Sequence, residues 1–190
     1  VETVILNLEN VQLTEEQFYR LCPDNPERQL ERTKEGKLPL TPPVGGVSGN
    51  READFILALG LWNRRTGLRI VFSSSTVFHL PGGGDRSPDV AWIRLDRWES
   101  LTREEREKFP PICPDFVIEL RSRTDSLPAL REKMREYLDS GLRSGWLINP
   151  QQQQVEIYRP SRPVEIVPLP AILDGEEILP GFRLSIEPFE

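Results

Sequence analysis

Histidine occurs once in the 190 residues, at position 79, and cysteine twice, at positions 22 and 113. So sparse a supply excludes His-rich metal centres, and the lack of any CxxC or Cys/His spacing excludes a zinc cluster or a disulfide scaffold. A Ser-His-Asp triad would depend on His79 alone, and His79, between Phe78 and Leu80, reads as a strand position. No apolar run approaches the ~18 residues that span a bilayer, and the N-terminus as given has no basic region leading into an apolar one. The expected location is the cytoplasm, with no membrane partner. Positive charge is also short: the formal net charge is −6, the wrong sign for gripping nucleic acid by bulk electrostatics. Only four of the 24 basic residues are lysine, Lys34, Lys37, Lys108 and Lys133. Each can therefore be weighed singly.

The sequence has an ordinary globular balance, 37% hydrophobic and 28% charged. Its length suits one domain, residues 1–190, with a core over about 50–150. Residues 1–8 read as a short strand or arm. Thr14 with Gln17 makes a capping box for a helix carrying Phe18 and Leu21, and residues 30–37 read as strand, turn, strand. This N-terminal part is expected to be an accessory layer. A Pro/Gly/Ser-rich loop over 40–50 leads to Asn50, a candidate cap for a helix over 51–65 with Phe55, Ile56, Leu59 and Trp62 on one face. Strands follow at 68–72 and 77–80. The glycine-rich connection 81–85 joins strand to strand and lacks a GK[ST] ending, so it is not a phosphate loop. Residues 96–109 read as a surface helix capped by Thr102, and Asp125 or Ser126 caps a helix over 127–140. Further short strands lie at 145–149, 155–158, 164–169 and 182–186.

Two acids interrupt apolar β runs. Glu119 sits inside Phe116-Val117-Ile118-Glu119-Leu120, and Asp89 heads Val90-Ala91-Trp92-Ile93. An unpaired buried carboxylate costs several kcal/mol or takes up a proton, so such residues pair with a cation or bind metal. Two of them side by side would repel unless a divalent cation stood between them, and carboxylate-plus-water coordination suits Mg²⁺ or Mn²⁺. Side chains alternate along a strand, so Asp115, Val117, Glu119 and Arg121 share a face. Glu119 and Arg121 form a (D/E)-X-K pattern with arginine in the lysine place, and Pro88-Asp89 supplies the preceding PD. Asp115 reads as a turn residue.

Longer strings occur in a fixed order: Ser87-Pro88-Asp89-Val90-Ala91-Trp92, then Pro114 to Ser122, Lys133-Met134 with Tyr137, Gly145-Trp146-Leu147-Ile148-Asn149-Pro150, and Leu179-Pro180-Gly181-Phe182. Together they resemble the bacterial putative restriction endonuclease family of the PD-(D/E)XK nuclease superfamily over residues 12–188. The resemblance implies an α/β fold: a restriction-endonuclease-like mixed β-sheet flanked by helices, with short extra strands at both ends. It maps Asp89 and Glu119 onto the metal ligands, adds an acid from the first helix, where Asp54 matches better than Glu52, and puts the catalytic lysine at Lys133. Arginine stays protonated at neutral pH and cannot be a general base, so Arg121 is left to hold a phosphate or to stabilise developing charge. On a helical wheel Lys133 and Arg131 flank opposite margins of the stripe Leu127, Leu130, Met134, Tyr137 and Leu138, and the wheel does not choose between them.

The implied activity is an Mg²⁺- or Mn²⁺-dependent endodeoxyribonuclease with DNA as substrate, served by a homodimer or higher homo-oligomer if both strands are cut. The alternative is a catalytically inactive nuclease fold used for nucleic-acid binding or assembly. The acidic balance and the displaced lysine favour the alternative, whereas the retained Asp89 and Glu119 oppose it.

Overall fold

A computed structural model of the protein describes residues 3–8, 10–67 and 69–190. Positions 1 and 2 of the expected first strand and position 68 of the run 68–72 lie outside the described residues. In chain order come β1 (Val4–Asn7), α1 (Glu15–Asp24), β2 (Gln29–Leu30), β3 (Lys37–Thr41) and the long α2 (Gly46–Thr66). Next are β4 (Arg69–Ser73), β5 (Phe78–His79), β6 (Asp85–Arg86), β7 (Val90–Arg94), and two short helices, α3 (Leu95–Glu99) and α4 (Arg103–Glu107). The chain continues with β8 (Phe116–Leu120), α5 (Leu127–Asp139), β9 (Ser144–Asn149), β10 (Gln154–Tyr158), β11 (Glu165–Pro168), β12 (Ala171–Asp174) and β13 (Arg183–Ile186).

Six strands form the central sheet in the order β11-β10-β9-β8-β7-β4. β8 and β9 run parallel, and the other neighbours are antiparallel. A parallel pair needs a crossover, and α5 provides it. Smaller sheets, β1-β3-β2 at the start, β5-β6 between α2 and β7, and β12-β13 at the end, complete the mixed α/β architecture expected from the sequence.

Alternation divides the sheet's side chains between two cores. Val90, Trp92, Phe116, Ile118, Trp146 and Ile148 pack with Phe55 and Leu59 of α2 and with Leu179 and Phe182 near the C-terminus. Ala91, Ile93, Val117 and Leu147 face the other way, against Leu127, Met134 and Tyr137 of α5. Asp89 and Glu119 have the parity of Ala91 and Val117, so both belong to the face beneath α5. Close approach of that helix requires Gly145: a Cβ there would lie 2.7 Å from Met134 Cε and 2.9 Å from Leu142 Cδ2.

The Thr14 capping box is present, with Gln17 N–H donating to Thr14 Oγ1 at 3.2 Å and Thr14 N–H to Gln17 Oε1 at 2.9 Å. Ser126 caps α5. The expected start of α2 at Asn50 is corrected: the helix begins at Gly46, with Gly45 as its cap. Nucleation is the costly step, so a strong helix over 51–66 extends upstream through residues of poor propensity. The surface helix expected over 96–109 is split into α3 and α4 at Ser100-Leu101-Thr102. No helix among the described residues is long and apolar enough to cross a membrane.

Candidate active site

Antiparallel register pairs Val90 with Ile118, so the next residues outward, Asp89 and Glu119, stand at neighbouring positions beneath α5. Asp89 precedes β7, and its Oδ2 accepts the Leu120 N–H at 2.6 Å. Glu119 is buried within β8. Its Oε1 accepts the Tyr137 hydroxyl at 2.9 Å and also lies 2.9 Å from Lys133 Nζ. Lys133 and Tyr137 are one turn apart on α5 and reach the same carboxylate. Lys133 is buried, and its ammonium also donates to the Ser87 carbonyl at 3.0 Å and meets Glu31 Oε1 at 2.8 Å.

The structure therefore brings Asp89, Glu119 and Lys133 together and separates Lys133 from Arg131. Arg131 turns to the neighbouring end of the sheet, where its Nη2 lies 2.6 Å from Glu156 Oε1, and Tyr158 donates to the same carboxylate at 2.8 Å. Glu119, Leu147 and Glu156 align across three strands, so the two margins of α5 each find a separate acid. Arg121 is half-buried just past β8. It donates to the Asp125 carbonyl and to Asn149 Oδ1, both at 3.2 Å.

The helix acid expected at Asp54 is a correction. Asp54 is exposed and accepts from Asn50 Nδ2 at 3.3 Å, whereas Glu52 is half-buried, accepts the Ser74 hydroxyl at 2.5 Å, and adds to the repulsion felt by Asp89. The roll of α2 decides this, because two residues are ~200° apart on a helix. Asp115 is also more than a turn residue: it is fully buried, accepts the Arg94 N–H at 2.9 Å and pairs with Arg97 at 2.9 Å. His79, in β5, bridges Asp85 at 2.9 Å and Glu15 at 3.0 Å.

The residue that sequence reasoning missed is Glu31. The N-terminal sheet is joined to the core through an isolated bridge between Arg32 and Asp85, with main-chain bonds of 2.9 and 2.7 Å, and this turns the buried Glu31 side chain inward. Glu31 Oε1 accepts the Ser87 N–H at 2.7 Å, and Oε2 accepts from Arg86 at 3.2 Å. Arg86 in turn pairs with the buried Glu136, whose Oε1 accepts the Lys34 N–H at 2.6 Å. The only signal available in sequence was an acid next to Leu30 in a short β run.

The electrostatics follow from burial. Asp89 is pushed well above the usual carboxylate range, first by desolvation and then by Glu119, against the pull of Lys133 and the Leu120 N–H. Glu119 is raised by burial and by Glu31, opposed by Lys133 and Tyr137. Burial would also raise Glu31, but Lys133 and Arg86 outweigh it and its pKa is lowered. Burial works to discharge Lys133, yet Glu119, Glu31 and Asp89 together raise its pKa, so the ammonium is charged at neutral pH.

Glu31, Asp89 and Glu119 thus crowd about Lys133, with Arg86 on the far side of Glu31, and the raised pKa values of Asp89 and Glu119 record a strain that a divalent cation would relieve. Among the described residues no three His, Cys, Asp or Glu side chains form a ready cation cage. Two carboxylates with water and substrate oxygens are nonetheless the donor set Mg²⁺ accepts. Asp89 and Glu119 supply two such carboxylates side by side, a chemistry that fits the ion.

The fold is similar to that of a crystal structure titled as a putative nuclease from Anabaena variabilis ATCC 29413, at 21% identity and a TM-score of 0.76, over 92% of this chain and 95% of that one. Among curated proteins none matches. The Uma2 family model, described as "Putative restriction endonuclease", matches residues 15–187, and the chain belongs to that family.

Proposed function

We propose that the protein is an Mg²⁺- or Mn²⁺-dependent endonuclease that hydrolyses DNA phosphodiester bonds, its site carried by one domain spanning the chain. The observation that carries this reading is the buried meeting of Asp89, Glu119 and Lys133 on two neighbouring strands and the crossover helix. A divalent cation held by Asp89 and Glu119 would polarise the scissile phosphate and acidify a water. The Leu120 N–H fixes the Asp89 carboxylate, and the Tyr137 hydroxyl fixes that of Glu119. Lys133, kept protonated by its acidic neighbours, does not act as a base; it orients the attacking water and donates toward phosphate oxygens that gain charge. Arg121, anchored at the rim, holds a flanking phosphate. Cutting both strands of a duplex would call for two copies of the chain.

A second reading, a nuclease fold that binds or assembles without cutting, is favoured by one observation: Lys133 already bridges Glu31 and Glu119, giving the acids an internal counter-ion. Nicking of supercoiled plasmid with Mg²⁺ or Mn²⁺ separates the two. Under the first reading the wild type nicks and Glu119→Ala does not. Lys133→Ala loses roughly 10²–10³-fold in turnover, the usual cost of removing one transition-state donor, while Arg121→Ala acts mainly on KM. A wild type that binds Mn²⁺ but leaves plasmid intact supports the second reading, and unchanged turnover in Lys133→Ala refutes the lysine's role.

A further inference from the structure

The Lys133 ammonium is shared between two acids, Glu119 at 2.9 Å and Glu31 at 2.8 Å. A cation at the proposed site would draw on the charge of Glu119, and a buried ammonium left with no carboxylate is costly. Glu31 is placed to meet that demand. Both of its oxygens are engaged by protein donors, Oε1 by Lys133 and the Ser87 N–H, Oε2 by Arg86. Arg86 is itself pinned by Glu136, so the anchor is braced from a second side. Glu31 is thus held between two cations, Lys133 and Arg86, whereas Glu119 has only Lys133 and the neutral Tyr137 hydroxyl.

From this geometry we infer that Glu31 is a positioning residue: it holds the Lys133 ammonium in place when Glu119 turns to the cation, so that metal binding and lysine placement do not compete. The N-terminal layer thereby becomes part of the site. The inference rests on the metal-site reading above. It also accounts for Glu31 gripping Ser87, whose carbonyl is the third anchor of the same ammonium.

Calorimetric Mn²⁺ titration of the full chain tests it, in wild type, Glu31→Gln, Lys133→Met and the double variant. In Glu31→Gln the ammonium has only Glu119 to pair with and competes with the cation, so Mn²⁺ binding should weaken roughly 10–100-fold, the range for residues that support metal ligands. In the Lys133→Met background that competition is gone, and the same change should cost about tenfold less, the coupling expected of groups in direct contact. Equal losses in both backgrounds would make Glu31 a ligand and overturn the inference. No loss in either would make it purely structural and overturn it too. A wild type that binds no Mn²⁺ would instead overturn the metal-site reading, and this inference with it. Should Glu31→Gln fail to fold, Glu31→Asp, which keeps the charge but shortens its reach, carries the same comparison and should show a smaller loss that again shrinks beside Lys133→Met.

Discussion

Replacing Lys133 by Met removes a buried ammonium while keeping side-chain length and helix propensity. Glu119, Glu31 and the Ser87 carbonyl each lose a donor. Removing one partner of a buried ion pair costs about 3–5 kcal/mol. Glu31 retains Arg86 and the Ser87 N–H, and Glu119 retains Tyr137, which argues for the lower end, about 3 kcal/mol. At ~2–4 °C per kcal/mol for a chain of this size, Tm in EDTA should fall by about 6–12 °C. The pH dependence has a definite sign. Asp89 and Glu119 have raised pKa values in the folded state, so the native protein binds more protons than the unfolded chain at pH values between the ordinary carboxylate range and the raised values, and stability falls as pH rises through that interval. Losing the ammonium raises both groups further, so the gap between wild type and variant should widen as pH rises through the raised values and narrow as pH falls back toward the ordinary carboxylate range. Mn²⁺ should restore much of the loss by supplying the missing positive charge. Thermal unfolding followed by circular dichroism, with EDTA and then with Mn²⁺, reads all three effects. A loss below ~1 kcal/mol, typical of an exposed pair, or one that does not vary with pH, would refute the placement of Lys133 as the buried counter-ion.

Glu119→Gln keeps an acceptor for Tyr137 and leaves Lys133 paired with Glu31, while relieving repulsion on Asp89. Its Tm in EDTA should hold or rise, and the Mn²⁺ stabilisation of the wild type, ~2.7 kcal/mol at a hundred times Kd, should vanish. A fall of many degrees would make Glu119 a structural ion-pair partner instead. Glu156→Gln reports on the other margin of α5. Burial would raise the Glu156 pKa, but Arg131 and Tyr158 lower it overall, so its contribution is present above the ordinary carboxylate range and is lost as pH falls through the lowered folded value. The stability gap to wild type should therefore be open at neutral pH and closed in strong acid, and a gap unchanged on acidification would contradict the pairing. Arg121→Ala should leave calorimetric Mn²⁺ affinity unchanged, because Arg121 is held by Asp125 and Asn149.

The strands that carry the acids were legible because one apolar run is broken by Glu119 and the other is headed by Asp89, and period-two alternation then puts both acids on one face. Strand, capped helix and strand over β8, α5 and β9 were legible in succession, while the parallel pairing of β8 with β9 is a finding of the structure. The roll of α5 was not legible. Lys133 and Arg131 are chemically similar on the two margins of one stripe, and what separates them is that β10 carries Glu156 in register with Leu147 and Glu119, a pairing across the sheet that no local pattern encodes. The choice between Asp54 and Glu52 was legible and missed: Glu52 stands three and seven residues before Phe55 and Leu59, on the face that α2 packs against the sheet, and Asp54 does not. Glu31 was hidden more deeply. Its inward turn depends on the contact of Arg32 with Asp85, residues far apart in the chain, so a layer that reads as accessory supplies a buried acid to the site.

Anomalous diffraction from crystals soaked in Mn²⁺ measures the site itself. One ion is expected, with oxygens of both Asp89 and Glu119 at about 2.1 Å and Lys133 still bonded to Glu31. An anomalous map with no peak between the two acids, or with the ion on other side chains while Lys133 remains on Glu119, would contradict the account.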